Sequence, residues 1–445
     1  MVAGIQGQPS LSMRRVLLIA PYHEARCAVS DTVEFGGWPR PPRWVWALAG
    51  AAAVAVLASV VVARSEPHHT AASSRSTSPA TAPARALRPP RAGSARWPSA
   101  AGACGLPVYL PQIHLARHHA RAPVRVLVGG TALRQVTTGG AVSGPLPGLP
   151  HHGRLVTTLV AGPGAGYAVD VPCSSSSASA RVYRIVAGTA RPVGITADTL
   201  LGGPRQAWAV TYLPRTVLTP LNGGRTVTIT SKITPVADTA AGLVAVAYHP
   251  PSGRRVTVEL LDPNSGAMLR RLAEGASLGA AGHIALVTMP DCGAPLTPGT
   301  CTLESIDLTT GRPTATFKLP AGRVPVSGAV FSPDSTQAAF QLARARLDSR
   351  LTTELGLPPS DVAVLHLNVG SLDLVPGLKL PPETQAGLAF DATGHWLLVT
   401  VSEGNRGELL AWRQGMPGPA LVTSLPGPLA DPPPLLPAPS SPRNG

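Results

Sequence analysis

One unit recurs along this chain and limits what it can become: an apolar strand, a tight polar turn and a second apolar strand. The stretch "AVFSPDSTQAAF", 329–340, ends its first strand at Phe331 and turns through Asp334. A relative follows at 387–401, "GLAFDATGHWLLVTV", with Phe390 ending the strand and Asp391 in the turn. Looser copies begin at Arg205 and Gly242. Apolar alternation bounded by Pro, Gly, Asp and Ser is the signal of paired strands. Each copy is followed by a second hairpin turning at a glycine: Gly130, Gly188, Gly223, Gly266, Gly311, Gly370 and Gly415, spaced 58, 35, 43, 45, 59 and 45 residues apart.

That spacing is close to the roughly 40–50 residues of a four-stranded propeller blade. The sequence therefore predicts an all-β chain, a β-propeller of about seven four-stranded blades over 104–425, with six and eight also compatible. Composition agrees: 46 Gly and 49 Pro with only 13% charged residues suit many short strands and disfavour long helices. Aromatics are 4%, so the expected core is built from Ala, Val and Leu.

The turn Phe331, Ser332, Pro333, Asp334, with Phe390, Asp391 and Gly394 in the weaker copy, resembles the WD40-like, TolB-like family of bacterial β-propellers. The family turn is Phe-Ser-Pro-Asp-Gly, and here Ser335 stands where the glycine belongs. No Gly-His and Trp-Asp pairs mark the blades, so the resemblance is not to true WD40 proteins. It implies fold far more than activity.

Upstream, "WVWALAGAAAVAVLASVVVA", 44–63, is 20 residues without charge or proline. At about 1.5 Å per residue such a helix spans the roughly 30 Å hydrocarbon layer, and Trp44, Trp46, Arg40, Arg43 and Arg64 flank it as interfacial anchors do. It reads as a single transmembrane helix, with a cleaved signal peptide as the alternative. Residues 1–43 form a short segment, 64–103 a disordered stalk rich in Pro, Ser, Ala and Arg, and 426–445 a disordered Pro-rich tail.

Cys27 stands alone before the span, whereas Cys104, Cys173, Cys292 and Cys301 form an even set after it. That distribution fits an oxidising compartment for the long part, hence a cytoplasmic N-terminus and an extracytoplasmic bulk. Four cysteines allow three connectivities; Cys292 with Cys301 across a Pro/Gly loop, and Cys104 with Cys173, is the favoured one. The net charge of +14 is spread along the chain, about +2 in 1–43, +5 in 64–103 and +7 beyond. Such interspersed charge argues for a solvated basic surface and against a nucleic-acid partner. Only three basic residues are Lys, a usage expected of a GC-rich actinobacterial genome.

No catalytic, cofactor or metal residues emerge. "GASLG", 275–279, fits G-x-S-x-G, but no helix follows Ser277, and His283 and Asp291 nearby do not complete a triad without geometry. On a helix His114 and His118 would share a face, yet they and His119 stand in basic surroundings without Cys or carboxylate. "GPGAGY", 162–167, lacks the helix and distal acid of a nucleotide loop. The acidic residues after Cys104 sit mostly at turns, such as Asp262, Asp307 and Asp334, where they cap backbone. The reading is a membrane-anchored extracytoplasmic propeller acting as a scaffold for an envelope protein or ligand. An envelope hydrolase or lyase working in the channel is the alternative, as is a sensor signalling through 1–43.

Overall fold

The computed structural model describes residues 118–119, 125–150, 153–172, 180–212, 215–230, 232–249, 255–290, 292, 301–344, 359–381, 384–403, 406–427, 429–430 and 434–437. The proposed membrane span, the stalk, Cys104, Cys173, His114 and Asp291 lie outside them. Every regular element among the described residues is a strand.

The strands form seven sheets. Blade 2 holds Arg154–Gly162, Ala165–Pro172, Arg181–Val186 and Thr189–Thr196; blade 3 holds Thr199–Leu201, Trp208–Thr211, Thr216–Pro220 and Val227–Ile229. Blade 4 comprises Ile233–Thr239, Gly242–His249, Arg255–Leu261 and Met268–Glu274, and blade 5 comprises Ala276–Ala281, Ile284–Thr288, Thr302–Asp307 and Pro313–Lys318. In blade 6 the first strand is broken into Arg323–Pro325 and Val330–Phe331, both pairing with Gln337–Arg344, beyond which come Ser360–His366 and Ser371–Leu380. Blade 7 is Gly387–Phe390, Leu397–Glu403, Arg406–Trp412 and Ala420–Pro426, whose outer edge is covered in parallel by His118–His119.

Blade 1 is assembled from both ends of the domain. Val126–Val128, Arg134–Val136 and Val142–Pro145 supply three strands, and Leu435–Pro437 pairs antiparallel with Val126–Val128 as the fourth and innermost. The first strands of successive blades then touch in an unbroken cycle, with Leu435–Pro437 standing between blades 7 and 2. Two of the sequence boundaries change accordingly. The stretch assigned to a tail contains the strand that closes the ring, and the propeller runs past 425 to at least Pro437.

Each sheet packs against its two neighbours, so the apolar interior is seven separate seams and each seam draws on two adjacent blades. This burial on both faces explains why the second strands read as continuous apolar runs. Gln337–Arg344 is buried from Ala338 through Ala343, and Leu243 to Ala247 are all buried, where alternation was expected.

The two ends of the barrel-like ring differ. One end, the turn face, carries the tight turns joining strands one to two and three to four; the other, the loop face, carries the links from strand two to three and from blade to blade. On the turn face the glycines Gly188, Gly223, Gly266, Gly311, Gly370 and Gly415 join third to fourth strands with φ between 72° and 88°. The matching residue in blade 1 is Gly140, at φ 81°, and not Gly130, which lies on the loop face between second and third strands. The first interval becomes 48 residues rather than 58.

The two best-marked turns are built alike, with their side chains exchanged. In blade 6 Ser332 Oγ donates to Asp334 Oδ1 at 2.6 Å and accepts from the Gln337 amide at 2.9 Å. In blade 7 Asp391 occupies the Ser332 position, accepting from the Trp396 amide at 3.0 Å, and Thr393 takes the place of Asp334, donating to Asp391 at 2.6 Å. Ser335 and Gly394 share the left-handed corner at φ 57° and 75°.

On the turn face polar side chains also cross between blades. Tyr167 donates to Asn222 Oδ1, Trp208 Nε1 to Asp238 Oδ2 at 3.1 Å, Arg270 to the Thr309 carbonyl at 2.6 Å, and Gln414 to Asp373 at 3.2 Å.

Two stability outcomes follow from closure and from the corner. Leu436, buried in the seam between blades 1 and 2, should cost about 2–4 kcal/mol when cut to Ala, and removing residues 434–437 should broaden the urea transition as the ring opens. A sharp, unshifted transition after that deletion would disprove closure by this strand. Ser335→Gly relieves left-handed strain of roughly 1–2 kcal/mol against a glycine entropy cost of roughly 0.5–1, for a net gain of about 0.5 kcal/mol. Gly394→Ala should lose about 1 kcal/mol, so the same urea titrations must give opposite signs.

Candidate functional site

Ser277 lies in the first strand of blade 5, next to a bulge, opposite Val287. No strand-to-helix elbow surrounds it, and its buried Oγ has no hydrogen-bond partner among the described residues. His283 is exposed in the turn at the far end of the same strand, about 13 Å or more away at some 3.3 Å per residue. The two therefore cannot act as nucleophile and base. His118 and His119 are in an extended strand rather than a helix. "GPGAGY" forms the turn between the first two strands of blade 2. Cys292 and Cys301 are disulfide-bonded, clipping the link between the second and third strands of blade 5. Loop closure of that length is worth on the order of 2.5 kcal/mol.

The innermost strands contain three titratable residues, Arg154, Asp238 and Arg323, and each is engaged within the fold. Arg154 pairs with the Asp170 carboxylate and donates to the Asp170 carbonyl at 3.1 Å. Arg323 Nη1 meets Asp361 Oδ2 at 2.5 Å. Asp238 is held by Trp208 and lies under Gly203, where an added Cβ would fall 2.3 Å from a carboxylate oxygen. Burial pushes the Asp170 and Asp238 carboxyls above the usual range, and the neighbouring donors and arginines only partly offset it. Among the described residues no three His, Cys, Asp or Glu side chains converge as metal ligands. The turn aspartates are held the other way: hydrogen bonds, first from the Asn264 amide, the Thr310 amide and Ser332 respectively, lower Asp262, Asp307 and Asp334.

A cleft opens on the turn face between blades 4 and 5, with a volume of about 580 Å³. Ala240 and Ala241, from the first turn of blade 4, face Gly282 and His283, from the equivalent turn of blade 5, over the buried side chains of Leu260 and Leu308. Leu269 and Arg270 form the outer wall.

The outer wall is made by a register shift. Leu260 pairs with Arg270 and Leu261 with Met268, so Leu269 is the extra residue of a bulge. Bulges re-aim side chains. Leu269 is left 57% exposed and Met268 beside it 60%, the two most open leucine or methionine side chains among the described residues. Arg270 reaches over blade 5 to Thr309 and packs on Gly311, where a Cβ would meet its Cδ at 2.4 Å. The described lining carries Arg270 and His283 and no carboxylate. The arrangement can hold an apolar group against the Leu and Ala walls with an anionic group beside Arg270. The sequence offered no signal for it beyond "GAML" following a turn aspartate, because the bulge depends on pairing register.

No protein-family model and no curated protein sequence matches the chain. Solved structures similar to it include the hydrazine synthase of Kuenenia stuttgartiensis, at 11% identity over 61% of this chain and 86% of that one, TM-score 0.41. TolB from Acinetobacter baumannii shares 13% identity over 71% of this chain and 67% of that one, TM-score 0.40. The WD40 domain of coronin from Toxoplasma gondii shares 10% over 61% and 71%, TM-score 0.37. The propeller assignment stands on the sheet pairing of the chain itself.

Asp238 gives a pH dependence of definite sign. Its carboxyl is raised from 3.8 in the folded state, so the fold binds this proton more tightly than the unfolded chain does. Stability therefore falls as pH rises from about 4 through the raised value, and stays lower above it. Asp238→Asn keeps an oxygen for Trp208 and carries no charge. Urea titrations across pH 4–7 should show the variant gaining on the wild type as pH rises; parallel curves would contradict this account.

Proposed function

We propose that this chain is a single-pass, N-in membrane protein of an actinobacterium that displays its propeller outside the cytoplasmic membrane as a binding scaffold. Its partner docks in the cleft between blades 4 and 5. The observation that carries this reading is the outward bulge at Leu269. Exposing a leucine and a methionine side by side, at 57% and 60%, forgoes part of the roughly 1.5–3 kcal/mol that full burial of each would give, and Leu269 does so at the wall of a cleft where an apolar group of a partner could cover it. The individually paired charges of the inner strands are consistent with a scaffold role. The uncharged stretch 44–63 supports the anchor, and the Cys292–Cys301 bridge supports an oxidising compartment.

The test uses the full chain in its native envelope, with the photoreactive residue p-benzoylphenylalanine at Leu269 and, as control, at Val186, an exposed valine of blade 2. A discrete adduct from position 269 and none from 186 is the expected result. Identical products from both positions, or none from either, would remove the cleft from consideration. In the same preparations, alkaline carbonate should leave the protein in the membrane pellet and release a variant lacking 44–63; release of both would end the anchor proposal.

A further inference from the structure

The cleft's chemistry narrows what can enter it, and this step rests on the docking role just proposed. We infer that the occupant is an extended peptide segment of a partner protein that carries an apolar side chain next to a carboxylate. Three features of the cleft lead there. Its floor and walls are aliphatic, from Ala240, Ala241, Leu260, Leu269 and Leu308, which suits a leucine-sized group. Its described lining holds one arginine, Arg270, and one histidine, His283, and no carboxylate.

Arg270 uses Nη1 on the Thr309 carbonyl and makes no ion pair among the described residues. Asp307, the carboxylate that feels the charge of His283, already accepts from the Thr310 amide at 2.6 Å and the Thr310 hydroxyl at 3.0 Å, and does not line the cleft. A guanidinium at the mouth of an aliphatic cleft with donors to spare is matched by an incoming carboxylate, through a charge-assisted hydrogen bond. The two bulges in Met268–Glu274 blunt that strand as an edge for backbone pairing, so recognition falls to side chains in the cleft rather than to an added strand.

The probes are fluorescent, capped hexapeptides of sequence Gly-Leu-Leu-Glu-Glu-Gly and counterparts with Gln-Gln or Lys-Lys in place of Glu-Glu. They are titrated against the full chain held in zwitterionic-lipid nanodiscs, and polarisation is read. The Glu peptide should bind about tenfold tighter than the Gln peptide. The difference should shrink between 50 and 500 mM salt, roughly as screening predicts, and the Lys peptide should bind most weakly. Arg270→Gln should remove the Glu preference, so that the Glu and Gln peptides bind alike, His283→Gln should reduce that preference, and Leu269→Ser should weaken both peptides. Matched melting curves show that the variants are folded.

Equal binding of the three peptides, or binding of none at millimolar concentration, overturns the inference. So does saturable binding of oleate at this cleft with no peptide competition. If Leu269 still crosslinks a partner that the Glu peptide fails to displace, the docking role survives and the acidic-peptide inference alone fails.

Discussion

Every blade of this protein depends on its neighbours, because a sheet of four short strands has two apolar faces and only another sheet can cover each. The interior is accordingly divided into seven seams, such as Leu243, Ala245 and Leu261 of blade 4 against Trp208 and Leu218 of blade 3. No seam can be completed without the next, so the ring has to close. The composition follows from the same geometry. Inner and second strands lie where sheets crowd together, and they are filled with Ala, Val and Leu; Tyr167 and Phe340 are the aromatics among the largest fully buried side chains.

Closure is achieved by joining the two ends of the domain within one sheet. Leu435–Pro437 enters blade 1 beside Val126–Val128, the Gly129 amide donates to the Pro434 carbonyl at 2.9 Å, and Gly130 bridges to Leu429. The price is a long-range contact that pairs residues about 300 apart, whose loop entropy must be met before the ring forms. Elsewhere inner strands also join directly: the Ala329 amide donates to Leu278 O at 2.6 Å, which brings Ala329 so close to Gly279 that a Cβ there would sit 2.8 Å from its oxygen. Of the "GASLG" glycines, Gly279 is thus explained by the approach of blade 6 and Gly275 by the Thr288 carbonyl of its own blade, 1.9 Å from where a Cβ would stand, without any catalytic elbow.

Much of this architecture was legible because turn chemistry is local. A left-handed corner needs Gly or a tolerated polar residue, and the glycines from Gly188 to Gly415 announce six blades by that rule alone. The phase of blade 1 was not legible. Its inner strand is absent from the local sequence, so the first glycine between strands, Gly130, looks like the start of the series although Gly140 holds the equivalent corner. The closing strand was hidden for a related reason, since three residues in a proline-rich context carry no period that could distinguish them from a tail. Matching Asp334 to Asp391 failed more subtly: sequence aligns like residues, whereas the turn keeps a hydroxyl-carboxylate pair that can be read in either order.

The cleft was illegible for a different physical reason. Whether Leu269 faces a neighbour or the solvent depends on one residue of slippage between Leu260 and Leu261, and a one-residue shift in a strand reverses the face on which a side chain lies. Although a second bulge, at Leu272, would still interrupt the strand further along, without the bulge at Leu269 that residue would stand opposite Leu261. With it, the seam between blades 4 and 5 is still completed by Val258, Leu260 and Leu272 from blade 4 and by Leu308 from blade 5, so the exposed pair is surplus to packing. The exposure of Leu269 is thus fixed by pairing register and not by any demand of the seam, which stays full beneath it.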